Sequence, residues 1–250
     1  MGHRNTVLIT GASRGIGAAT ALLAAQRGFA VCVNYKNNSQ AAQRVVDQIQ
    51  DSGGTAIAVA ADVAIESDVV RLFEACDREL GVVTALVNNA GILEKQMHVA
   101  TMDAARLHRV MATNVIGSFL CAREAVKRMS TKHGGKGGVI VNVSSGAARL
   151  GSPNEYVDYA ASKGAIDSLT IGLSKEVAAE GIRVNAVRPG FIYTDMHASG
   201  GEPDRVNRVK ELVPMKRGGL PEEVAQAIMW LLSEESSYVT GAFIDIAGGK

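Results

Sequence analysis

The sequence predicts a doubly wound α/β protein, and three observations lead to this prediction. Short, wholly apolar segments such as Gly138–Val143 recur along the 250 residues, as is typical of strands buried on both faces of a parallel sheet. Longer segments of helical composition separate them, so strands and helices alternate along the chain. The first apolar segment runs directly into a glycine-rich turn, which is how a β-α-β unit begins. The simplest arrangement is one sheet with helices on both faces, in a single domain covering residues 1–250.

Composition and charge exclude several classes of function. The chain has 26 basic and 25 acidic residues, a net charge of +1 and only 4% aromatic residues. This balance favours a small-molecule substrate over a nucleic acid, whose phosphates and bases need cations and aromatic faces. No apolar run is long enough to span a membrane and no signal peptide is visible, so we expect a cytoplasmic location. Cys32, Cys76 and Cys121 are widely separated, which indicates buried small side chains rather than a disulfide or metal site.

Seven strands and six helices are predicted in order. The strands are Thr6–Thr10, Ala30–Asn34, Thr55–Ala60, Ala85–Asn88, Gly138–Val143, Arg183–Arg188 and Ala242–Ile246. One helix runs from the glycine turn to Gly28, and the others are Ser39–Ser52, Ile65–Leu80, Met102–Lys132, Val157–Ala179 and Pro221–Leu232. Between the sixth strand and the last helix lies a long polar connection, residues 191–215, which is where a lid over a substrate belongs.

The first strand is followed by the sequence Gly11-Ala12-Ser13-Arg14-Gly15-Ile16-Gly17 and then by an alanine-rich helix. Glycines allow backbone N–H groups to approach a pyrophosphate, and the dipole at the helix N-terminus favours the same negative charge. The turn therefore predicts a dinucleotide site. A glycine-rich turn without a ligand is the alternative interpretation.

The end of the second strand bears on which dinucleotide is bound. Sites for NAD carry a carboxylate there, which binds the ribose 2′-hydroxyl, whereas this chain has Asn34-Tyr35-Lys36-Asn37. Arg14 of the glycine turn and Lys36 could converge on one point, and two cations suit a 2′-phosphate. We therefore predict NADP(H) in preference to NAD(H). In the alternative interpretation Lys36 is a solvated loop charge.

Two residues of the predicted helix Val157–Ala179 form a candidate acid–base pair. Tyr159 and Lys163 are four positions apart, so they lie on one face of a helix. A free tyrosine loses its proton near pH ~10, and a neighbouring ammonium favours the phenolate. We therefore expect Lys163 to lower the pKa of Tyr159. Tyr156, by contrast, has no lysine four residues after it.

Several motifs, taken together, resemble the short-chain dehydrogenase/reductase family. They are the Thr-Gly-x-x-x-Gly-x-Gly spacing from Thr10 to Gly17, the tetrapeptide Asn88-Asn89-Ala90-Gly91 after the fourth strand, and the Tyr159-x-x-x-Lys163 pair. The resemblance covers nearly the whole chain. It implies a Rossmann-type fold with a seven-stranded parallel sheet in the order 3-2-1-4-5-6-7.

The resemblance also implies a catalytic tetrad of Asn114, Ser145, Tyr159 and Lys163. In the family the tyrosine donates a proton to the substrate oxygen, the serine hydrogen-bonds that oxygen, and the lysine grips the nicotinamide ribose. The asparagine bends its helix and joins a water chain to the lysine, although a buried amide that caps local backbone is the alternative. Ser145 is preferred to Ser144 because relatives use the second serine of the pair. The interval from Ser145 to Tyr159 is one residue longer than in many members.

For the cofactor, the resemblance adds positions that flank the adenine, follow the fourth and sixth strands, or touch the nicotinamide carboxamide. The predicted cofactor residues are Gly11, Ser13, Arg14, Gly15, Ile16, Gly17, Asn34, Tyr35, Lys36, Asp62, Val63, Asn89, Ala90, Gly91, Tyr159, Lys163, Pro189, Gly190, Ile192 and Thr194. The family usually has asparagine immediately before this Pro-Gly pair, where this chain has Arg188, and the role of Arg188 is open.

These inferences predict an NADP(H)-dependent oxidoreductase that interconverts a carbonyl and a secondary alcohol, in a homotetramer or homodimer as is usual for the family. The substrate is open: a 3-oxoacyl-[acyl-carrier-protein] reductase, a sugar dehydrogenase of the glucose type and a reductase of small carbonyls all fit the motifs. Arg123, Lys127 and Arg128 would suit an acidic carrier protein, although a solvated helix face is simpler. A non-catalytic NADPH-binding scaffold is the remote alternative. It predicts a broken tetrad, whereas all four positions are intact.

Overall fold

The computed structural model describes residues 5–250 and contains one parallel sheet of seven strands. The strands are β1 (Thr6–Ile9), β2 (Ala30–Tyr35), β3 (Thr55–Ala60), β4 (Ala85–Asn88), β5 (Gly138–Val143), β6 (Ile182–Pro189) and β7 (Phe243–Ile246). Their order is β3-β2-β1-β4-β5-β6-β7. This order and all seven strand positions confirm the prediction, since each strand end lies within one residue of the expected place.

Helices cover both faces of the sheet. They are α1 (Gly15–Gln26), α2 (Ser39–Asp51), α3 (Glu66–Leu80), α4 (Ala104–Met111), α5 (Gly117–Met129), α6 (Ala147–Leu150), α7 (Val157–Val177), α8 (Met196–Ser199), α9 (Arg205–Val209) and α10 (Pro221–Leu232). One core lies between the sheet and α1, α2 and α10, and a second lies between the sheet and α3, α5 and α7. Because both faces are covered, the strands read as continuous apolar runs. Within residues 5–250 no helix has the length and apolar character needed to cross a bilayer.

The long helical stretch predicted for Met102–Lys132 is present from Ala104 to Met129, but it is not regular throughout. Its first turn begins at Ala104, because Asp103 caps it by accepting a hydrogen bond from the N–H of Arg106 at 2.7 Å. A π-helical turn, residues 112–116, then separates α4 from α5 and contains the fully buried Asn114. Asparagine competes for backbone hydrogen bonds and is unfavourable inside a regular helix, which explains why the irregular turn occurs here.

The segment 191–215 is not a simple polar connection. It contains α8, α9 and a 3-10 turn at Lys210–Leu212. Val206 and Val209 of α9 are buried, so tertiary packing stabilises a helix that is too short to form by itself. Four- and five-residue helices also carry too little periodicity for the sequence to reveal them.

A buried ion pair fixes the beginning of α7. Arg106 of α4 donates from Nε to Asp158 Oδ2 at 2.7 Å, and the two side chains are only 4% and 1% exposed. Asp158 Oδ1 also accepts a hydrogen bond from the N–H of Tyr159 at 2.9 Å. Arg106 is also bound to the carbonyl of Lys95, which accepts a hydrogen bond from Arg106 Nη1 at 2.6 Å. The position of Tyr159 therefore depends on a salt bridge that no local sequence pattern reveals.

The three cysteines are buried and unpaired, as predicted. A hydrogen bond with Cys76, together with burial, raises the pKa of the Cys32 thiol well above its ordinary value. Burial, aided by the charge of Glu124, raises the pKa of Cys121 to about 12. These thiols are therefore protonated, packed side chains of the core.

Replacement of Asp158 by asparagine tests the ion pair. The substitution leaves the Arg106 guanidinium buried without its counter-charge, so we expect the free energy of unfolding to fall by about 3–5 kcal/mol. Urea denaturation measures the change. The control is Glu79→Gln, because the Arg78–Glu79 pair is largely exposed and its loss is expected to matter by less than about 1 kcal/mol. Equal effects of the two substitutions would contradict the role given to Asp158.

Candidate active site

A cavity of about 160 Å³ lies at the carboxyl ends of β4, β5 and β6. Its inner wall is formed by residues that follow these strands and by two side chains of α7: Asn89, Ser144, Ser145, Pro189, Gly190, Tyr159 and Lys163. The outer wall includes Met196, His197 and Arg205 from the segment 191–215. Ligand sites of doubly wound folds occur in this position, beyond the carboxyl edge of the sheet.

Ser145 and Tyr159 meet in the cavity. The Ser145 hydroxyl lies close enough to the phenol to oppose the rise of the Tyr159 pKa, while the N–H of Ala147 donates to Ser145 Oγ at 3.1 Å. The hydroxyl of Ser144 is held elsewhere, since it donates to Asp167 Oδ1 at 2.6 Å. Of the two serines, Ser145 is therefore the one whose hydroxyl contacts Tyr159.

Lys163 does not act on Tyr159 as the helical spacing predicted. Its ammonium donates to the carbonyl of Val143 at 2.7 Å and lies 5.6 Å from the centre of the Tyr159 ring. Burial raises the pKa of Tyr159 to about 12, against the opposing effects of the Ser145 hydrogen bond and the Arg205 charge. Burial likewise lowers the pKa of Lys163 to about 8. The pKa of Tyr159 is thus raised rather than lowered as expected, because desolvation outweighs the effects of Ser145 and Arg205.

Asn114 connects the segment after β4 to α7. Its Oδ1 accepts from the N–H of Ile92 at 2.8 Å, and its Nδ2 donates to the carbonyl of Ile92 at 3.1 Å and to Ser162 Oγ at 3.0 Å. The amide therefore ties the backbone after β4 to α7 at Ser162, the residue that precedes Lys163, rather than capping backbone of its own helix. Its link to Lys163 through water stays a prediction.

The glycine turn has the geometry that a pyrophosphate requires. Gly11 and Gly15 have φ values of +62° and +55°, in the left-handed region that favours glycine. Helix α1 begins at Gly15, its N-cap residue Arg14 makes no side-chain cap hydrogen bond, and its first turn has no acidic residue. The N–H groups at this terminus thus have no capping side chain and can bind an anion. The residues present fit the diphosphate of a dinucleotide.

Asn89 ties the glycine turn to the end of β4. Its Nδ2 donates to the carbonyls of Thr10 and Gly11 at 2.8 and 3.1 Å. A Cβ on Gly17 would lie 2.6 Å from both Asn89 Nδ2 and the Gly11 carbonyl oxygen. Glycine at position 17 is therefore required by this close approach of turn, helix and strand.

At the ends of β2 and β3 the structure pairs Lys36 with Asp62 and buries Asn34, which the sequence did not predict. The Lys36 ammonium contacts the Asp62 carboxylate at 2.7 Å, so its charge is partly neutralised by the residue expected beside the adenine. Asn34, predicted as a cofactor residue, is only 2% exposed. Its side chain accepts from the N–H of Gly11 and donates to the carbonyl of Ala61, each at 3.1 Å. Asn34 thus supports the glycine turn from within.

The other predicted cofactor residues fall into two groups. Ile16, Asn89, Tyr159, Lys163, Pro189, Gly190, Ile192 and Thr194 line the cavity. Gly11, Ser13, Arg14, Gly15 and Gly17 belong to the glycine turn, Tyr35 and Lys36 end β2, Asp62 and Val63 follow β3, and Ala90 and Gly91 follow β4. A Cβ on Gly91 would lie 3.5 Å from Asn114 Oδ1 and 3.7 Å from Lys163 Nζ. Gly91 therefore lies beside two members of the predicted tetrad.

Arg188 has a structural role. Its Nη2 donates to Asp167 Oδ2 at 2.8 Å, and its guanidinium lies 3.9 Å from the centre of the Phe243 ring. Asp167 thereby joins Arg188 to Ser144, and its charge opposes the lowering of the Lys163 pKa. No sequence pattern indicated Asp167, which lies on α7 one turn beyond Lys163.

Tyr156 and Arg205 are cavity residues that sequence reasoning did not select. The Tyr156 hydroxyl donates to the carbonyl of Gly200 at 3.2 Å, and the Arg205 guanidinium lies 4.6 Å from the centre of the Tyr156 ring. Together they attach the segment 191–215 to the start of α7.

Comparison with known proteins agrees with this geometry. A family model described as enoyl-(acyl carrier protein) reductase matches residues 11–250. The chain is 65% identical over 243 residues to an uncharacterized oxidoreductase, YgfF, of Escherichia coli (strain K12), with 97% of this chain and 98% of that protein covered. The chain belongs to the short-chain dehydrogenase/reductase family. Membership makes it an oxidoreductase of CH–OH groups and implies that it binds NAD(P).

Other members of the family are similar over nearly their whole length. A 3-oxoacyl-[acyl-carrier-protein] reductase of Synechocystis is 40% identical over 244 residues, covering 97% of this chain and 95% of that protein. Glucose 1-dehydrogenase 2 of Bacillus subtilis is 37% identical over 244 residues, covering 98% and 93%. The crystal structure of a dehydrogenase/reductase from Sinorhizobium meliloti 1021 superimposes with a TM-score of 0.90 at 35% identity, covering 98% and 94% of the two chains.

Substitution of Gly17 by alanine tests the close approach of the glycine turn to Asn89. The added Cβ must displace Asn89 or the turn, so we expect a loss of about 1–3 kcal/mol in the free energy of unfolding and weaker NADPH binding. Thermal denaturation and a fluorescence titration with NADPH measure the two effects. Gly172→Ala in α7 is the matched control, since its Cβ meets nothing within 4 Å. Wild-type stability and NADPH affinity in Gly17→Ala would contradict this account.

Proposed function

We propose that this protein is an NADP(H)-dependent oxidoreductase that interconverts a carbonyl and a secondary alcohol. The observation that carries the proposal is that Ser145, Tyr159 and Lys163 line one cavity beyond the carboxyl edge of the sheet. The chain's membership of the short-chain dehydrogenase/reductase family supports it. A bound NADPH supplies the hydride that reduces the carbonyl carbon.

Tyr159 is the proposed proton donor in the direction of reduction. Because burial raises its pKa to about 12, the phenol keeps its proton at neutral pH and can pass it to the substrate oxygen as negative charge develops there. The Ser145 hydroxyl, which lines the same cavity, stabilises the same charge by a hydrogen bond.

Lys163 and Asn114 are the remaining members of the proposed tetrad. Burial lowers the pKa of Lys163 to about 8, so the ammonium is mostly charged at neutral pH and stabilises developing negative charge nearby. We assign it the binding of the nicotinamide ribose as well, following the family. Asn114 holds the backbone of Ile92 beside it and would connect Lys163 to solvent through water.

The preference for NADP(H) rests on the cations at the glycine turn and at the end of β2. This strand end has no carboxylate, and Arg14 is an exposed side chain. Lys36, however, is paired with Asp62, so a 2′-phosphate would have to compete with that carboxylate for it. We therefore assign the larger share of phosphate binding to Arg14.

The names of the Synechocystis reductase and of the Bacillus subtilis dehydrogenase leave an acyl carrier protein substrate and a sugar as alternatives. The basic residues of α5 give the carrier protein little support, because each has an acidic partner. Arg123 contacts Glu66 at 2.6 Å, Lys127 contacts Glu124 at 2.8 Å and Arg128 contacts Asp77 at 2.7 Å. Their charges are thus compensated within this chain.

The proposal extends to the assembly and the lid. The π-helical turn, α5 and α7 expose the large apolar side chains Ile116, Phe119 and Ile171, which are 51%, 49% and 44% exposed. Such side chains suit contacts between copies of the chain, and we infer a homotetramer or homodimer in the cytoplasm.

Residues 191–215 are proposed as the substrate-binding lid of one catalytic domain, residues 1–250.

Tyr159→Phe tests the proposed reaction. Purified protein is mixed with NADPH and a panel of acetoacetyl thioesters, diketones, quinones, aldehydes and keto-sugars, and the loss of NADPH absorbance is recorded. With the proton donor removed, we expect kcat to fall by at least about 100-fold while the Kd for NADPH stays close to that of the wild type. Tyr238→Phe is the control, because Tyr238 is fully exposed. Retained turnover in Tyr159→Phe would refute the assignment.

Arg14→Ala and Lys36→Ala test the cofactor preference. A charge-assisted hydrogen bond contributes about 1.5–3 kcal/mol, so loss of Arg14 is expected to raise the Kd for NADPH by about tenfold or more. The effect of Lys36→Ala should be smaller, because Asp62 already holds that ammonium. Neither substitution should change the Kd for NADH, and the exposed Lys175→Ala serves as control. Tighter binding of NADH than of NADPH by the wild-type protein would contradict the proposed preference for NADP(H).

A further inference from the structure

Two successive residues at the end of β5 are bound by side chains of α7. Lys163 Nζ donates to the carbonyl of Val143 at 2.7 Å, and Asp167 Oδ1 accepts from the hydroxyl of Ser144 at 2.6 Å. Lys163 and Asp167 are four positions apart and therefore lie on one face of the helix. The next residue of the chain is Ser145, which lines the cavity, so its position depends on the two contacts before it.

Arg188 of β6 holds the Asp167 carboxylate in place. Its Nε and Nη2 donate to Asp167 Oδ2 at 3.1 and 2.8 Å, and the side chains of Arg188 and Asp167 are only 16% and 13% exposed. The guanidinium lies 3.9 Å from the centre of the Phe243 ring, close enough for a cation–π contact. One carboxylate oxygen thus binds Ser144 and the other binds Arg188, so the carboxylate cannot rotate without losing a partner.

The charge of Asp167 acts on the ammonium of the same helix face. Burial lowers the pKa of Lys163, and the negative charge of Asp167 opposes that effect. Lys163 stabilises developing negative charge only as an ammonium. Asp167 therefore extends to higher pH the range in which Lys163 is charged.

Other charged groups around α7 are mostly paired within the chain. The pairs at the cavity end of α7 are Arg106–Asp158, Arg149–Asp245 and Arg205–Glu155, and α5 contributes Glu124 with Lys127 and Arg128. On α4, His108 and Arg109 are exposed to solvent. Tyr159, one turn before Lys163, stays protonated because burial raises its pKa to about 12. Among the described residues, Asp167 is thus the charged group whose effect on the Lys163 pKa is resolved.

We propose that Asp167 is a positioning residue of the reaction, which places Ser145 and Lys163 and is itself held by Arg188. Neither Asp167 nor Arg188 lines the cavity, so the pair acts through Ser145 and Lys163 and not on the substrate. The pair also gives a purpose to the arginine at position 188, where asparagine is usual in the family. The inference rests on the proposed function, because it concerns two residues of the proposed tetrad.

Asp167→Asn tests the inference through the pH profile of kcat/KM. The assay uses saturating NADPH and the carbonyl that the wild type reduces fastest in the panel used for Tyr159→Phe. Loss of the carboxylate lowers the pKa of Lys163, so the decline at alkaline pH should begin at lower pH. We expect the ratio of wild-type to variant kcat/KM to grow about tenfold from about pH 6 to about pH 9, mainly through kcat.

Two further substitutions show whether the charge is responsible. Asp167→Glu keeps the carboxylate and should retain most of the wild-type profile. Glu176→Gln is the matched control, because Glu176 is an exposed carboxylate of the same helix, and its profile should be that of the wild type.

A double variant, Asp167→Leu with Arg188→Met, separates positioning from a purely structural role. Replacing both charges by apolar side chains leaves no unpaired charge, so the melting temperature should stay close to that of the wild type. The alkaline decline should nevertheless stay at the lower pH found for Asp167→Asn. A wild-type profile in Asp167→Asn or in the double variant, or a loss of activity that is equal at every pH, would overturn the inference.

The proposed function can stand when this inference fails. Turnover that is lost in Tyr159→Phe but unchanged in every Asp167 variant would keep the oxidoreductase and remove the positioning role. Absence of turnover with every carbonyl would remove both.

Discussion

Asparagine side chains hold together the carboxyl edge of the sheet, where parallel strands end and backbone groups lose their ladder partners. Asn34 and Asn89 both bind the glycine turn, the first through the N–H of Gly11 and the second through its carbonyl. Asn114 binds both backbone groups of Ile92. An amide can replace part of a ladder because it carries a donor and an acceptor. The turn that fits a pyrophosphate and the segment beside Lys163 both depend on these contacts.

The sequence predicted the sheet well because buried parallel strands consist of continuous apolar runs, which are visible in the sequence. The resemblance supplied their order and the residues Ser145, Tyr159 and Lys163, which the fold brings to one cavity. The Arg106–Asp158 pair could not be predicted, since its partners are 52 positions apart and no periodicity connects them. Helices α8 and α9 also escaped detection, because tertiary packing rather than local propensity forms them.

The sign of the Tyr159 pKa shift shows a second limit of sequence reasoning. Helical spacing places Tyr159 and Lys163 on one face but says nothing about the depth of burial, and here desolvation raises the pKa to about 12. The Arg205 charge opposes that rise, although Arg205 lies on the segment 191–215. The pKa of Tyr159 and the placement of this segment over the cavity are therefore electrostatically linked.

The burial of Cys32, Cys76 and Cys121 has a chemical consequence. A thiol reacts with alkylating reagents as its thiolate, and the pKa of Cys121 is raised to about 12 while that of Cys32 is also raised. In the folded protein Cys32 and Cys121 are not ionised at neutral pH, and none of the three cysteines is exposed to a reagent. Alkylation therefore requires local unfolding of the core, and the alkylation rate measures how frequently that unfolding occurs. The native cysteines thus report on the opening of the core on the α3 and α5 side of the sheet without any engineered label.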